Sequence, residues 1–199
     1  MNESNLALQS AEHALAGSRR TATTFAREDA VAIVLKRARQ SDEEFMIAVY
    51  ASSRADEMAI TGWNLEQQDA FLRMQFDAQK RSYSAQFPQA EYSLIEFDGV
   101  AAGRLIVDRS GEEILLIDIA VLSQFRRKGI GSALLHQLMD EGGRTGKAIR
   151  LHVERFNPAL HWYQRLGFKT ASESAIYLEM VWTPGAADSG GCRQAEPCI

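Results

Sequence analysis

The sequence predicts an α/β (α+β) protein with a mixed, mainly antiparallel central sheet of about seven strands and helices on both faces. Two observations support this fold class. The 199 residues are 46% hydrophobic and 24% charged, which is the balance of a single globular domain. Strand and helix patterns follow one another in the order β-α-α-β-β-β-α-β-α-β-β, which is neither a βαβ repeat nor a block of strands followed by a block of helices.

The first half of the chain predicts one strand and two helices. Residues 31–37 form a β-branched apolar run typical of a strand. Ser41 and Glu44 have the spacing of a capping box, which predicts a helix starting at Ser41. A second helix is expected over residues 65–86, ended by Pro88. Its apolar stripe would be Leu65, Leu72, Phe76 and Tyr83, widened by Phe71, Met74 and Ala78.

The second half predicts the remaining strands. Asp98-Gly99 is a two-residue turn signal between strands 92–97 and 100–107. Residues 114–122 are apolar on both faces and predict a central buried strand. A helix should follow and end or fray at Gly142-Gly143. Further elements are expected as a strand at 149–153, a helix from Pro158 to Leu166, and final strands after Gly167-Phe168, the last at 176–182.

Bulk properties restrict the function classes. The net charge of −4 argues against a nucleic-acid partner, which requires basic excess. No apolar stretch is long enough to span a membrane. The two cysteines, Cys192 and Cys198, lie in a Gly/Ala/Ser-rich end and lack zinc-site spacing. We therefore expect a reduced, cytoplasmic protein without a metal site, with a domain over residues 28–184 and flexible tails at 1–27 and 185–199.

The strongest motif is a basic, glycine-containing segment between the central strand and the next helix. It consists of Arg126, Arg127, Lys128, Gly129, Ile130, Gly131 and Ser132. Glycines allow close backbone approach, and a helix start offers free N–H groups to a pyrophosphate. The segment lacks the Gly-Lys-Ser/Thr of a Walker loop and the third glycine of a dinucleotide fingerprint. The alternative is an ordinary tight turn with a solvated basic face.

A second segment strengthens the ligand-binding interpretation. Residues 157–168 read Asn-Pro-Ala-Leu-His-Trp-Tyr-Gln-Arg-Leu-Gly-Phe. Together, the two segments resemble the pyrophosphate loop and the coenzyme A-binding helix of the GNAT superfamily of N-acetyltransferases. The resemblance is specific over residues 115–168. One spacing departs from the family pattern, because Asn157 and Tyr163 are one residue closer than is usual.

The resemblance implies acetyl-CoA as co-substrate. Residues 126–132 would bind its pyrophosphate, and backbone groups of Ile119, Ala120 and Val121 would pair with the pantetheine arm as an added strand. The sheet would open between its fourth and fifth strands to admit this arm. Asn157 would help to fix the pantetheine, and Tyr163 would lie near the sulfur. Dimers are common in the family, so a homodimer is possible.

The chemistry requires an acid and a base. Tyr163 would protonate the leaving thiolate, and the alternative is a packing residue. Asp118, a single acid in an apolar strand, is the candidate base, or else a strand residue hydrogen-bonded to a neighbouring loop. Glu57 and Glu113 are reserve bases. Residues 50–63, with the charged cluster Arg54, Asp56 and Glu57 beside Trp63, would contact the acceptor.

The sequence therefore predicts an N-acetyltransferase acting on a primary amine of a small molecule or protein. The alternative from another class is a non-catalytic acyl-CoA-binding sensor or interaction module.

Overall fold

A single seven-stranded sheet organises the protein. The computed structural model describes residues 32–185. The strand order is β1-β2-β3-β4-β5-β7-β6. Every neighbouring pair is antiparallel except β4 and β5, which run parallel. The strands are β1 (Ile33–Arg37), β2 (Glu91–Phe97), β3 (Val100–Asp108), β4 (Ile114–Val121), β5 (Ile149–Glu154), β6 (Lys169–Glu173) and β7 (Tyr177–Trp182).

Five α-helices cover the two faces of this sheet. They are α1 (Glu43–Ser53), α2 (Ala55–Ala59), α3 (Leu65–Gln86), α4 (Ile130–Thr145) and α5 (Ala159–Arg165). Residues of α4 and α5 form one core with alternate strand residues such as Ile95 and Leu105. Residues of α1, α2 and α3 form a second core, against Tyr92 and Leu94. Because alternate residues of a strand point to opposite faces of the sheet, the two cores lie on its two faces. The predicted fold class, a mainly antiparallel sheet with helices on both faces, is therefore confirmed.

The bounds of the long helix α3 agree with the prediction from the sequence, whereas its buried stripe agrees only in part. Asn64 caps α3 by accepting a hydrogen bond from the Gln67 N–H at 2.9 Å, and the helix has the predicted bounds. Of its predicted stripe, Leu72 and Phe76 are buried, whereas Leu65 is 83% exposed. Met74 and Ala78 are also exposed, because the stripe that faces the sheet is narrower than expected.

Two predicted helix ends were wrong. Helix α1 begins at Glu43, after a 3-10 turn over Gln40–Asp42, and its N-cap residue Asp42 makes no side-chain capping bond. Asp42 instead accepts a hydrogen bond from the Arg39 N–H at 2.7 Å, at the start of the 3-10 turn. Helix α4 continues past Gly142 to Thr145. A Cβ on Gly142 would lie 2.7 Å from the Lys147 carbonyl oxygen, so this glycine permits close packing instead of ending the helix.

Several predictions concern segments that the structure does not describe. The tail at 1–27, residues 186–199 of the second tail, and both cysteines lie outside the described residues. Between residues 32 and 185, no helix combines the length and the apolar character needed to cross a membrane.

Candidate functional site

The sheet opens between its two parallel strands. Strands β4 and β5 pair only from Ile114 to Leu116, opposite Ile149 to Leu151. At this point β4 contains a bulge, because Leu116 pairs with Val107 and Asp118 with Ile106, leaving Ile117 unmatched. A bulge bends its strand and re-aims the following side chains. The far half of β4 therefore leaves β5, and its edge towards β5 is unpaired.

A cleft of about 390 Å³ occupies this opening. Its walls include Ile119 and Ala120 of β4, and both predicted catalytic residues, Asp118 and Tyr163. Asn157 lies at the same wall. The structure thus brings together predicted site residues that come from β4, the loop after β5, and α5.

Asp118 is held by a buried arginine. Its Oδ2 accepts a hydrogen bond from Arg104 Nε at 2.6 Å, and a second guanidinium nitrogen of Arg104 donates to Gln79 Oε1 at 3.0 Å. The side chain of Arg104 is 4% exposed and that of Asp118 is 21% exposed. An ion pair of this kind fixes the carboxylate in one orientation, facing the cleft.

Tyr163 has the properties of a phenol that keeps its proton. It is 7% exposed and packs edge-on against Phe168, with ring centroids 5.7 Å apart. Burial raises the pKa of the Tyr163 hydroxyl, and the negative charge of Asp118 raises it further. The hydroxyl accordingly stays protonated at neutral pH and can serve as a proton donor.

A second phenol, Tyr83 of α3, lines the same cleft. Burial, followed by the charge of Asp118, raises the pKa of Tyr83 to about 12. The negative charge of Asp118 therefore raises the pKa of both phenols.

The predicted phosphate loop leads into an uncapped helix. A 3-10 turn at Ser123–Phe125 follows β4, and Arg127 and Gly129 then adopt positive φ angles of 60° and 80°. The N-cap residue of α4, Gly129, has no side chain to cap it, and within the described residues the hydrogen bond from Ala133 N to Gly129 O is the first of the helix. The N–H groups at the start of α4 are therefore available to an anion.

The three basic residues of this segment have different environments. Arg126 donates hydrogen bonds to the carbonyls of Val121 at 3.2 Å and Ser52 at 2.9 Å, tying the loop to the end of α1. The Lys128 ammonium lies 5.2 Å from the Phe125 ring centroid. Arg127 is exposed. The environments of Arg127 and Lys128 therefore fit the predicted phosphate contact better than that of Arg126, whose guanidinium is used within the protein.

The two glycines also differ. A Cβ at Gly129 would meet nothing within 4 Å, whereas one at Gly131 would lie 3.1 Å from the Trp162 ring. Ser132 Oγ accepts a hydrogen bond from Trp162 Nε1 at 3.2 Å. Gly131 and Ser132 therefore dock α5 onto α4, and only Gly129 lies open to a ligand. Asn157 likewise uses Oδ1 locally, accepting from Ala159 N at 2.9 Å.

Only part of the region predicted to contact the acceptor, residues 50–63, lines the cleft. Arg54 and Glu57 line the cleft. Trp63 lies elsewhere, packed edge-on against Phe71 at 5.1 Å between centroids. The reserve base Glu113 is hydrogen-bonded to Arg150 Nε at 2.6 Å and does not line the cleft.

Sequence reasoning missed Arg104, Gln79, Tyr83, Glu154 and Tyr177, all of which line the cleft. One signal was present for Arg104. Apart from Asp108 at the end of the strand, it is the one charge in the apolar strand β3, as Asp118 is in β4, and opposite charges on neighbouring apolar strands are expected to pair.

Comparison with known proteins agrees with this architecture. Residues 88–170 match the family model described as an acetyltransferase (GNAT) domain. The chain is 35% identical over 71 residues to a mouse protein named cysteine-rich protein 2-binding protein, a match that covers 36% of the chain and 9% of that protein. It is 40% identical over 57 residues to an N-alpha-acetyltransferase of Sulfurisphaera tokodaii, covering 27% and 34% respectively.

The fold is similar to that of a solved structure with a bound coenzyme. The PaiA N-acetyltransferase of Thermoplasma acidophilum, solved in complex with coenzyme A, superposes with a TM-score of 0.59 and 19% identity. The similarity covers 76% of this chain and 99% of that one.

Proposed function

This chain carries an acetyltransferase domain of the GNAT superfamily, and from that premise we propose that it transfers the acetyl group of acetyl-CoA to a primary amine. The acceptor would be a small molecule or a protein. The observation that carries the proposal is the opening between β4 and β5, which puts Asp118 and Tyr163 on the walls of one cleft. The transfer would be direct, with both substrates bound together.

Acetyl-CoA would bind along the unpaired edge of β4. Backbone groups of Ile119, Ala120 and Val121 would hydrogen-bond the pantetheine as an added strand. The pyrophosphate would lie at the start of α4, where the N–H groups of Ile130, Gly131 and Ser132 begin an uncapped helix. Arg127 and Lys128 would add positive charge, with Arg126 holding the loop in place. The Asn157 amide would contact the pantetheine.

The reaction would need a proton acceptor for the amine and a proton donor for the thiolate. Asp118, directly or through a water, takes one proton from the ammonium group. The neutral nitrogen then attacks the thioester carbonyl carbon, and a strand N–H near Val121 stabilises the oxyanion. Collapse of the tetrahedral intermediate breaks the C–S bond, and Tyr163 gives its proton to the thiolate. The second proton that the attacking nitrogen loses restores the Tyr163 hydroxyl. Arg104 acts as a positioning residue by holding the Asp118 carboxylate.

The electrostatics of the cleft favour a cationic acceptor. Three carboxylates, those of Asp118, Glu57 and Glu154, line it against the two guanidinium groups of Arg54 and Arg104, which leaves one carboxylate in excess. Opposite charge attracts the protonated amine, and a nearby carboxylate can then remove its proton.

Thiol release from acetyl-CoA, measured across polyamines, amino acids and peptides with free N-termini, tests the proposal. We expect amine-dependent release with at least one class. The alternative function, a non-catalytic acyl-CoA-binding sensor, predicts tight binding of acetyl-CoA with no release above background for any amine. That result would rule out acetyl transfer and leave only the proposal that the protein binds acetyl-CoA.

The remaining expectations belong to the same proposal. We propose a cytoplasmic protein that can form a homodimer. Its partners would be acetyl-CoA and the amine, and its acetyl-transfer domain would span residues 28–184.

A further inference from the structure

A second cavity lies beside the proposed active site, under α3. Its volume is about 260 Å³. We call it the α3 cavity. Its walls come from the β1–α1 connection, from α3, and from β2 and β3. The apolar part is formed by Met46, Phe76 and Ile106. The α3 cavity shares Gln79, Tyr83 and Arg104 with the cleft of Asp118 and Tyr163, so these three side chains form the partition between the two spaces.

Two hydrogen-bonding groups of residues that line this cavity have no partner among residues 32–185. The hydroxyl of Tyr92 is buried, and among the described residues nothing bonds it. Arg104 uses Nε for Asp118 and Nη2 for Gln79, which leaves Nη1 without a hydrogen bond to residues 32–185. A buried hydroxyl without a partner, such as that of Tyr92, is rare in proteins, because it lowers stability.

The two groups lie on the same face of the sheet. Tyr92 is paired across strands with Ile106, and Arg104 is two residues from Ile106 on β3. They are therefore diagonal neighbours, a distance that a small polar group can bridge. The guanidinium of Arg104 is also fixed, with its carbon 5.6 Å from the Tyr50 ring centroid and 5.8 Å from that of Phe76.

The charge of the cavity wall is positive. Lys80 is neutralised by Glu43 at 2.6 Å, and Arg104 by Asp118 at 2.6 Å. Arg37 and Arg39 also line the cavity and make no ion pair within the described part of the chain. Donors without partners, unpaired cations and an apolar wall together match an anion with an apolar body.

We propose that the α3 cavity is a second small-molecule site, which binds a carboxylic acid with an apolar body. The carboxylate would accept hydrogen bonds from Arg104 Nη1 and the Tyr92 hydroxyl, near Arg37 and Arg39. Its apolar part would pack against Phe76 and Ile106. Arg104 would contact this ligand and Asp118 at once, so the site would be coupled to acetyl transfer. Only this coupling rests on the proposed function.

Binding is tested on the full chain by calorimetry with benzoate, in the absence of acetyl-CoA and amine. We expect saturable binding, and binding of the neutral isostere benzamide at least about tenfold weaker, since charge-assisted hydrogen bonds are the stronger ones. Tyr92→Phe removes only the hydroxyl and should weaken benzoate about 3- to 10-fold. The matched control Tyr177→Phe, which lines the cleft but not the α3 cavity, should bind as wild type.

A second pair of variants tests the charge. Arg37→Gln should weaken benzoate binding, whereas Lys36→Gln should not, because Lys36 is its neighbour on β1, does not line the cavity and pairs with Glu96. Circular dichroism would check that each variant folds. The proposed site is overturned if benzoate fails to saturate, if acetyl-CoA competes with it, or if Tyr92→Phe and Arg37→Gln both bind it as wild type.

The coupling is tested separately, by initial rates of acetyl transfer with and without benzoate. We expect benzoate to change kcat in wild type without raising the KM for acetyl-CoA, and to lose this effect in Tyr92→Phe, whose rate without benzoate should be unchanged. An unchanged kcat at saturating benzoate overturns the coupling. If no amine is ever acetylated, the proposed function fails, whereas calorimetry still decides the site.

Discussion

At the scale of single residues, Asp118 connects the groups around it. It accepts from Arg104, and its charge raises the pKa of both Tyr163 and Tyr83, after burial as the larger cause. The carboxylate that would accept a proton from the amine therefore also helps the phenols to keep theirs. A carboxylate and a phenol in one cleft, with separate roles as proton acceptor and proton donor, are the arrangement that acid–base catalysis needs.

Replacing Tyr163 with Phe tests the acid. The variant keeps the ring and its packing on Phe168, so folding and coenzyme A affinity should be unchanged. We expect kcat to fall by about 100- to 10,000-fold, the usual contribution of a positioned acid. The alkaline limb of the pH–rate profile should disappear as well, because position 163 no longer carries a phenol that can lose its proton.

Tyr83→Phe is the matched control, because it removes a second phenol from the same cleft. We expect turnover close to wild type. If Tyr83→Phe lost activity and Tyr163→Phe did not, the acid would be Tyr83, and Tyr163 would be a packing residue.

Asp118→Asn tests the base and the electrostatics together. The acidic limb of the kcat/KM profile should be disturbed, and acceptors with a lower amine pKa should lose less rate. Loss of the negative charge also lowers the pKa of Tyr163, although burial still keeps it raised. The alkaline limb should therefore move to lower pH. A full pH–rate profile measures both limbs, and two unaltered limbs would remove Asp118 from the mechanism.

The same substitution has a stability effect. Arg104 is 4% exposed and would keep a charge without its partner. We expect the free energy of unfolding to fall by about 1–3 kcal/mol, measured by urea denaturation. Adding Arg104→Met should recover part of the loss, because removing both partners leaves no buried unpaired charge. If the double variant were less stable than the single one, Arg104 would be stabilised mainly by Tyr50, Phe76 and Gln79.

At the scale of elements, the start of α4 is a binding surface as well as a helix end. Gly129 is left-handed and open, whereas Gly131 packs on Trp162. A larger side chain at Gly131 would disturb α5 along with any ligand. Gly129 is consequently the position at which ligand binding can be changed without repacking the helix pair.

Gly129→Asp should weaken coenzyme A more than Gly129→Asn does. Both residues tolerate the left-handed conformation better than other non-glycine residues, so their effects on folding should be similar. Only Asp adds a negative charge where the pyrophosphate would bind. We expect about a fivefold difference in Kd between them, by calorimetry, from an electrostatic effect of about 1 kcal/mol. Equal affinities would place the pyrophosphate elsewhere.

The helix bounds show where local sequence patterns are sufficient to predict an element. The bounds of α3 follow from local chemistry, with Asn64 as its cap and Pro88 beyond its end. The start of α1 did not, since Ser41 and Asp42 are both good caps. Glu44, which a capping box from Ser41 would use, instead accepts hydrogen bonds from Arg73 of α3 at 2.9 and 2.8 Å, a contact that no local pattern reveals.

At the scale of the whole molecule, the fold class and strand number could be predicted, because periodicity and order determine them. The opening between β4 and β5 was expected only from family resemblance. Its local origin, the bulge at Ile117, has no signature in an apolar run. The Arg104–Asp118 pair depends on the register across β3 and β4, and no spacing along the chain reveals a register. The α3 cavity was not predictable for the same reason.

The last prediction concerns how much of the chain the proposed domain needs. Residues 1–27 and 185–199 have compositions that favour disorder, and we propose that residues 28–184 suffice. Deleting both segments should leave the urea midpoint and the Kd for coenzyme A close to those of the full chain. Deleting each segment alone identifies the source of any change. The shorter protein also lacks Cys192 and Cys198, the only cysteines, so thiol release can be followed without background from the protein. A cooperative loss of stability in the variant without 1–27 would show that this segment packs on the domain.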